Sequence, residues 1–330
     1  MRIGIVGASG AVGAEIIKIL EERKFKVSSL SLFGSKRSAG KYLSFKKRKI
    51  RIQELKKESL KNFDLIFFSA GSDISKKFAH IATSSGAVVI DNSSAFRMDP
   101  EVPLIIPEIN SKDIEKMGKN IIANPNCTTV ISLMAIKPLL NLSPIKRVVA
   151  TSFQSVSGAG ARGIRELIEN IEYSLKKGKK FKNIVFEKEI AFNVIPKIGN
   201  ITSNLYSEEE MKLHNESRKI LVDNKINFTA TTVRVPVLRS HSISLNIEFN
   251  NKVAMENIIK ALKKFPGLKV MNSSKNNTYP TPIDATNSDD CIVGRIRDDF
   301  TVKNGIALWV VGDQIRKGAA LNAVQIAEFL

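Results

Sequence analysis

Cysteine is nearly absent from this chain, with only Cys127 and Cys291 among 330 residues. Two thiols so far apart give neither a disulfide framework nor a metal-ligand spacing. No metal is expected, and a reducing cytoplasm is the default compartment. Long hydrophobic runs are missing too, since none approaches the ~20 residues of a membrane span. The opening Met1-Arg-Ile-Gly-Ile-Val passes directly into a strand-like run followed by glycines, so no secretory leader is expected. Carboxylates are scarce beside their counterparts, 32 against 51 Lys and Arg, for a net charge of +19. The lysines are nevertheless spread along the whole chain. The densest run, Lys46-Lys-Arg-Lys49, lacks interleaved aromatics or a nucleic-acid module. Nucleic acid is therefore not the expected partner, and a field that favours small anionic substrates is.

What remains is ordinary for a globular chain: 43% hydrophobic and 25% charged residues, long enough for two domains with their own cores. Short apolar runs at Ile3–Val6, Val27–Phe33, Leu65–Phe68, Val88–Ile90 and Ile121–Ala123 read as strands. Helical periodicity covers Ala14–Arg23, Ile74–Thr83 and Val130–Leu140. Alternation of this kind predicts an α/β, Rossmann-like doubly wound parallel sheet. After about Thr129 the character changes. Longer strands with period-two features are expected at Val148–Phe153, Thr229–Val235, Ser242–Phe249 and Ala307–Val311, with helices near Ile164–Lys176, Glu208–Asp223 and Lys252–Lys264. A second, α+β domain over 129–312 follows. The first domain comprises 1–128 plus 313–330, with a closing helix at Ala319–Leu330 packing back on it.

Gly7-Ala-Ser-Gly-Ala-Val-Gly13 stands between the first strand and the first helix. Glycines there let the backbone approach a pyrophosphate, and the helix N-terminus supplies free N–H groups. Gly7, Ser9, Gly10, Ala11 and Val12 are the expected dinucleotide contacts, with tight packing as the plain alternative for a G-x-x-G-x-x-G pattern. An NAD site usually ends the next strand with a carboxylate. Ser35-Lys-Arg-Ser-Ala-Gly40 has none; the hydroxyls of Ser35 and Ser38 and the guanidinium of Arg37 suit a ribose 2′-phosphate. NADP is expected over NAD, against the alternative of a solvated basic loop.

Cys127 lies where strand gives way to helix in Asn124-Pro-Asn-Cys-Thr-Thr129. A thiolate at a helix N-terminus feels the dipole, which lowers its pKa, and Asn124 and Asn126 offer amide donors nearby. A buried filler is the other reading. An acid/base partner comes from Arg234-Val-Pro-Val-Leu-Arg-Ser-His241, because His80 and His214 fall in helices where structural roles are expected. Cys291, beside Asp289 and Asp290, is read as structural. Ser207-Glu-Glu-Glu210 reads as a capping box, which puts Glu209 and Lys212 on one helix face.

Together, Gly7–Gly13, Ser93-Ser-Ala-Phe-Arg97, Asn124–Thr129, Ser152-Phe-Gln-Ser-Val-Ser-Gly-Ala-Gly160, Arg234–His241 and Val311-Gly-Asp-Gln-Ile-Arg-Lys-Gly-Ala-Ala320 resemble the aspartate-β-semialdehyde dehydrogenase family, essentially end to end. The resemblance implies reversible, NADPH-dependent reduction of aspartyl β-phosphate to aspartate semialdehyde in the route to lysine, threonine and methionine. It implies Cys127 as the nucleophile that forms a thioester, His241 as acid/base and Gln154 as the orienting amide. Arg234 would bind the substrate carboxylate, Arg97 and Lys212 the phosphate, and Glu209 the amino group, with Asn126 a further substrate contact. Ser157 and Gly158 would lie beside the nicotinamide, and Gln314 or Asn322 would complete the cofactor pocket. Arg239 is a decoy by spacing. The second domain would then be catalytic and dimerising, giving a homodimer or homotetramer.

Two neighbouring families share the thioester logic. N-acetyl-γ-glutamyl-phosphate reductases carry Gly before and an aromatic after their cysteine, where this chain has Asn126 and Thr128. Malonyl-CoA reductase-like enzymes lack a use for the Arg234 and Glu209 pair.

Overall fold

The computed structural model describes residues 1–176, 181–272 and 278–330. Its contacts divide the chain into two compact units, Met1–Asn126 with Gly318–Leu330, and Cys127–Lys317.

The first unit is built on β1 (Arg2–Val6), α1 (Ala11–Glu22), β2 (Ser29–Gly34), β3 (Tyr42–Phe45), β4 (Arg48–Glu54), β5 (Leu65–Phe68), α2 (Ser72–Ser84), β6 (Val88–Asp91), the single turn α3 (Pro107–Asn110) and β7 (Ile121–Ala123). The strands order as β3-β4-β2-β1-β5-β6-β7. Every pairing is parallel except β3 with β4. The unbroken apolar runs of β5 (Leu-Ile-Phe-Phe) and β7 (Ile-Ile-Ala) have no exposed face, as a parallel sheet covered on both sides requires. Ile16, Ile17, Ile19 and Leu20 of α1 join that core.

The basic run Lys46-Lys-Arg-Lys49 turns out to be a hairpin. Phe45 pairs with Arg48, and the two intervening residues, Lys46 and Lys47, have φ of 48° and 64°. Both central residues in the left-handed region is the geometry of a two-residue hairpin turn, normally marked by Asn-Gly. Here lysines occupy it, so the usual turn signal is missing.

The second unit opens with α4 (Cys127–Leu140), followed by β8 (Ile145–Gln154), α5 (Gly160–Leu175), α6 (Glu208–Leu221), β9 (Asn227–Arg234), β10 (His241–Phe249), α7 (Met255–Lys264), β11 (Leu268–Val270), the single turn α8 (Pro282–Ala285), β12 (Cys291–Asp299) and β13 (Gly305–Gly312). Its mixed sheet runs β11-β12-β13-β10-β8-β9. α4 is apolar all round and buried along most of its length, packing on α6, α7, β10 and β13; an all-apolar helix belongs in a core. It begins three residues before the periodic pattern expected at Val130. Cys127 is therefore its first residue.

β12 was hidden by polar flanks at Asp289-Asp290 and Asp298-Asp299 and by an irregular register between Gly294 and Arg297. Cys291 starts it, fully buried. The chain then passes through one π-helical turn (Arg316–Ala320) into α9 (Leu321–Ala327), shorter than the expected Ala319–Leu330. Leu321, Val324 and Ile326 of α9 belong to the first unit's core with Ile16 and Leu20.

Candidate active site

The candidate groups fall in both units, and each set is built from its own unit's elements. In the first, β1 is flanked by β2 on one side and β5 on the other, the switch point where doubly wound sheets bind ligands at strand C-termini. A cleft of about 470 Å³ lies there, lined by Gly7, Ser9, Gly10, Gly34, Ser35, Lys36, Ser38, Glu54 and Lys77 among others. Gly7 has φ +86°, and a β-carbon on it would stand 2.7 Å from the Ser69 carbonyl. One on Gly13 would overlap the Gly7 carbonyl oxygen. Only a chain free of side chains there can make this turn, and that turn exposes backbone N–H groups at the α1 N-terminus. This cradle fits a dinucleotide pyrophosphate.

Ala11 and Val12 open α1 outside the cleft lining, with Val12 packed on the core. Arg37 is exposed between the lining residues Lys36 and Ser38. Ser38 is buried and donates from Oγ to the Ser35 carbonyl at 3.1 Å. Lys36 and Lys77 are cations of this cleft that sequence reasoning passed over, though Lys36 stood inside the quoted turn.

Arg97, also in the first unit, is buried. Its Nε donates to the Asn124 carbonyl and its Nη2 to the Asn92 carbonyl, both at 2.9 Å. The loop carrying it hangs on Asp91, whose carboxylate accepts from Ser75 Oγ at 2.7 Å and from the Ser93 N–H and Oγ. Burial pushes the Asp91 carboxyl up, against those hydrogen bonds and the Arg97 charge. Asn124 does not offer its amide as a loose donor. Nδ2 donates to Asn92 Oδ1 and the Ala319 carbonyl, while Oδ1 accepts from Asn322 Nδ2 at 2.7 Å. Asn322, fully buried, also donates to the Ile105 carbonyl. Asn126 is buried immediately before Cys127.

Topology assembles the second unit's groups at one end of its sheet. β8 and β9 are parallel and both finish there, at Gln154 and Arg234, which are register partners. β10 is antiparallel to β8 and so starts there with His241; β13, antiparallel to β10, ends there at Gly312, opposite His241. The N-terminus of α6 reaches the same end: Gln154 Nε2 donates to Glu209 Oε1 at 3.3 Å, and Lys212 Nζ donates to Glu209 Oε2 at 3.2 Å. Gln154 Nε2 also donates to Thr128 Oγ1 at 2.8 Å, the residue after Cys127, whose Sγ lies 4.0 Å from that hydroxyl. The capping box that starts α6 forms as expected, with the Glu210 N–H donating to Ser207 Oγ and the Ser207 N–H to Glu210 Oε2.

Ser155 joins the two ionisable groups. Its backbone N–H donates to His241 Nδ1 at 3.1 Å, its Oγ lies 3.1 Å from the same nitrogen, and its carbonyl accepts from Arg234 Nη1 at 2.6 Å. Ser155 Oγ lies 3.1 Å from Ser157 Oγ, which accepts from Gln314 Nε2; Gln314 Oε1 in turn accepts from the Ser240 N–H. The Arg234 guanidinium is buried with its carbon 5.9 Å above the Phe186 ring. Burial pulls its pKa down, and the charges of Glu209 and Cys127 push the other way.

His241 is fully buried, and its pKa is depressed to about 3, first by burial and next by the Arg234 charge, with the Glu209 charge and a hydrogen bond to the Ser240 backbone opposing. Its Nε2 is buried without a hydrogen-bond partner, an arrangement that costs roughly 1–3 kcal/mol and calls for a polar partner from a bound ligand. Gly158 packs against both Arg234 and His241. Arg239 is tied to Asp313 at 2.7 Å. His80 stacks edge-on with Phe96, and His214 Nδ1 meets the Phe228 carbonyl. Ser155 and Phe186 carry no motif of their own and were not singled out from sequence.

A dinucleotide cradle in one unit, and in the other a helix-terminal thiol with a buried histidine and arginine, define a two-unit oxidoreductase of the semialdehyde dehydrogenase class. Family models agree: the semialdehyde dehydrogenase NAD binding domain matches residues 2–117, and the semialdehyde dehydrogenase dimerisation domain matches 136–317. An aspartate-semialdehyde dehydrogenase from Synechocystis is 48% identical over 330 residues, covering all of this chain and 97% of that relative. The crystal structure of aspartate semialdehyde dehydrogenase II from Vibrio cholerae complexed with ASA matches at TM-score 0.97 and 41% identity, over 100% of this chain and 97% of that one. An aspartate semialdehyde dehydrogenase solved with NADP from Candida albicans shares the fold, at 24% identity and TM-score 0.74 over 100% and 98%. The chain belongs to the aspartate-semialdehyde dehydrogenase family. Among the described residues, no helix is long and apolar enough to cross a membrane.

Proposed function

We propose that this enzyme catalyses the reversible, NADPH-dependent reductive dephosphorylation of L-aspartyl 4-phosphate to L-aspartate 4-semialdehyde through a Cys127 thioester, in lysine, threonine and methionine biosynthesis. The observation that carries it is the meeting of Arg234 and His241 on Ser155 in the unit whose first helical residue is Cys127. When bound, NADPH supplies the hydride that reduces the thioester carbon. Gly7, Ser9, Gly10 and Ser35 hold it, with Arg37 and Ser38 at its 2′-phosphate and Ser157, Gly158 and Gln314 on the nicotinamide side. The Ala11, Val12 and Asn322 assignments rest on the resemblance alone.

Cys127 sulfur attacks the acyl carbon, and phosphate departs with a proton from solvent. After reduction the C–S bond breaks, the carbonyl re-forms as the aldehyde, and the thiolate is regenerated. The helix N-terminus and the Arg234 charge favour that thiolate. Arg234 presents a planar fork to the substrate carboxylate, Glu209 meets the ammonium, Lys212 and Arg97 take the phosphate, and Asn126 and Gln154 orient the acyl group. Relatives carrying the aspartate-semialdehyde name at 41–48% identity favour this substrate over acetylglutamyl phosphate or malonyl-CoA.

The test is phosphate-dependent reduction of NADP with aspartate semialdehyde, for wild type and Cys127→Ala. Loss in the variant is expected, and undiminished turnover would refute the thioester. The matched dimerisation domain supports a homodimer or homotetramer, which light scattering of the purified protein distinguishes from a monomer. Two widely separated free cysteines fit a cytoplasmic enzyme.

A further inference from the structure

We infer that the outer face of the β3–β4 hairpin, where Tyr42 lies among Lys49, Arg51 and a lysine turn, binds single-stranded nucleic acid at a site separate from the dinucleotide cleft. Along the chain, Lys46-Lys-Arg-Lys49 has no interleaved aromatic, but strand pairing supplies one. Tyr42 is the register partner of Arg51, and Ser44 that of Lys49. Antiparallel partners project to the same face, as do residues two apart on one strand. These four side chains therefore form one surface, and all four are exposed, Tyr42 at 59%. The opposite face is committed to the first unit's core, with Phe45 and Ile52 buried and Leu43 and Ile50 packed against it. β4 meets β2 only from Ile52 onward, so Arg48–Arg51 pairs with β3 alone as a two-stranded ribbon.

Lys41, Lys46, Lys47, Arg48, Lys49 and Arg51 are all exposed, and no carboxylate falls between Lys36 and Gln53. Glu21 accepts from the Lys46 backbone N–H at 3.1 Å and so braces the turn itself. Lysines on an edge strand also discourage pairing between sheets. That role would put charge on β3, the outermost strand, yet its Tyr-Leu-Ser-Phe carries none; the cations stand on β4 and the turn. The arrangement fits a polyanion with exposed rings of its own. Cations track phosphates, and an exposed aromatic gives a base a face to stack on. A membrane surface would also need apolar side chains to bury, and those of this hairpin are already in the core. A duplex hides its base faces, so Tyr42 selects a single strand. None of residues 41–53 lines the dinucleotide cleft, and the hairpin lies outside the matched dimerisation domain.

The test is fluorescence anisotropy of a labelled oligouridylate of about 12 nucleotides, titrated with the full-length protein at about 50 to 200 mM salt. Binding should weaken with salt at a log–log slope of about −3 to −4, the mark of about five phosphates on a single strand. Tyr42→Ala should lose about 5- to 150-fold in affinity, the weight of one stacked base, and leave the slope alone. Lys47→Asn combined with Lys49→Gln should flatten the slope by about 1.4. Asparagine suits the left-handed turn that Lys47 occupies at φ 64°, and unchanged melting temperatures show that the variants keep the fold. Saturating NADPH should leave the RNA bound. Absence of binding at the lowest salt would overturn the inference. So would displacement by NADPH, which would put the RNA in the dinucleotide cleft, or undiminished affinity in Tyr42→Ala, which would leave only diffuse charge. Tighter binding of a duplex of the same length, of polyglutamate or of phosphatidylserine vesicles would equally refute it.

Discussion

Gly158 lies so close to His241 that a β-carbon on it would stand 3.2 Å from Cε1 and 3.3 Å from Nε2, with Arg234 Nη1 nearer still at 2.7 Å. Arg234 cannot swing aside freely, because the same Nη1 donates to the Ser155 carbonyl. Gly158→Ala should therefore displace the guanidinium or the imidazole by a fraction of an ångström. Small misplacements of reacting groups cost up to about 10²-fold in rate. Steady-state kinetics should show kcat/KM for aspartate semialdehyde falling by about that much while the melting temperature barely moves. An active alanine variant would mean that the two side chains relax without cost.

Arg234→Lys keeps a charge but loses the planar fork that lets one residue hold both Ser155 and a carboxylate. A lysine also loses the stacking on Phe186. The expected result is a KM for aspartate semialdehyde raised at least about tenfold, the weight of one charged hydrogen bond. NADPH affinity, read by fluorescence titration, should stay within about twofold, since the Gly7–Ser38 cleft contains no part of Arg234. A primary loss of cofactor binding would show that Arg234 has been given the wrong partner.

How much of this was legible depended on whether the signal lay in side chains or in backbone. β5 and β7 announced themselves because strands buried on both faces must be apolar throughout. The hairpin of β3 and β4 did not, because Lys46 and Lys47 occupy the left-handed turn that Gly or Asn would have marked. Cys127, His241 and Arg234 stood out as reactive residue types within motifs. Ser155 did not, since two of its three bonds to that cluster come from its main chain. The apolar pattern of α4 begins only at Val130 because Cys-Thr-Thr interrupts it while still being helical, whereas the change of chain character at Cys127 places the helix start near Thr128, one residue from where it falls.

His241 also sets a pH dependence of stability. Its folded pKa of about 3 lies below the ordinary 6.5, chiefly through burial, so the unfolded chain takes up the proton first as pH falls. The stabilisation is fully present above 6.5 and declines by ~1.4 kcal/mol per pH unit down towards 3. His241→Gln removes this slope. Urea unfolding at pH 7 and pH 5 should show the variant gaining ~2 kcal/mol relative to wild type on acidification. No relative change would mean that the histidine is charged in the folded protein.

Lys36 lines the dinucleotide cleft and Arg37 stands exposed beside it. Neither makes an ion pair within 4.0 Å among the described residues that would compete for a phosphate. Replacing either with Glu should raise the KM for NADP by about tenfold or more and alter the KM for NAD little. Should both cofactors suffer equally, the turn would have no 2′-phosphate preference. Glu54, which also lines the cleft opposite Gly34 in register, gives the complementary variant. Glu54→Gln should improve NADP binding by removing a negative charge from the same space.

Glu166 positions Arg234 at a distance. Buried on α5, its carboxylate accepts from the N–H groups of Ile184, Val185 and Phe186 at 3.0, 2.6 and 3.0 Å. Asn170, one turn on, accepts from Ile190 and Ala191. These bonds hold an irregular segment with no sheet or helix of its own, and that segment carries the Phe186 ring beneath the Arg234 guanidinium. Glu166→Gln removes the charge and halves the acceptor capacity, which should cost about 1–3 kcal/mol of local stability. Trypsin or chymotrypsin should then cut near 184–186 faster, and the KM for aspartate semialdehyde should rise with little change in kcat. Phe186→Leu should reproduce the KM effect without the proteolysis, because it leaves the Glu166 bonds in place. If Glu166→Gln altered proteolysis alone, the segment would be a structural strap with no bearing on how Arg234 holds its ligand.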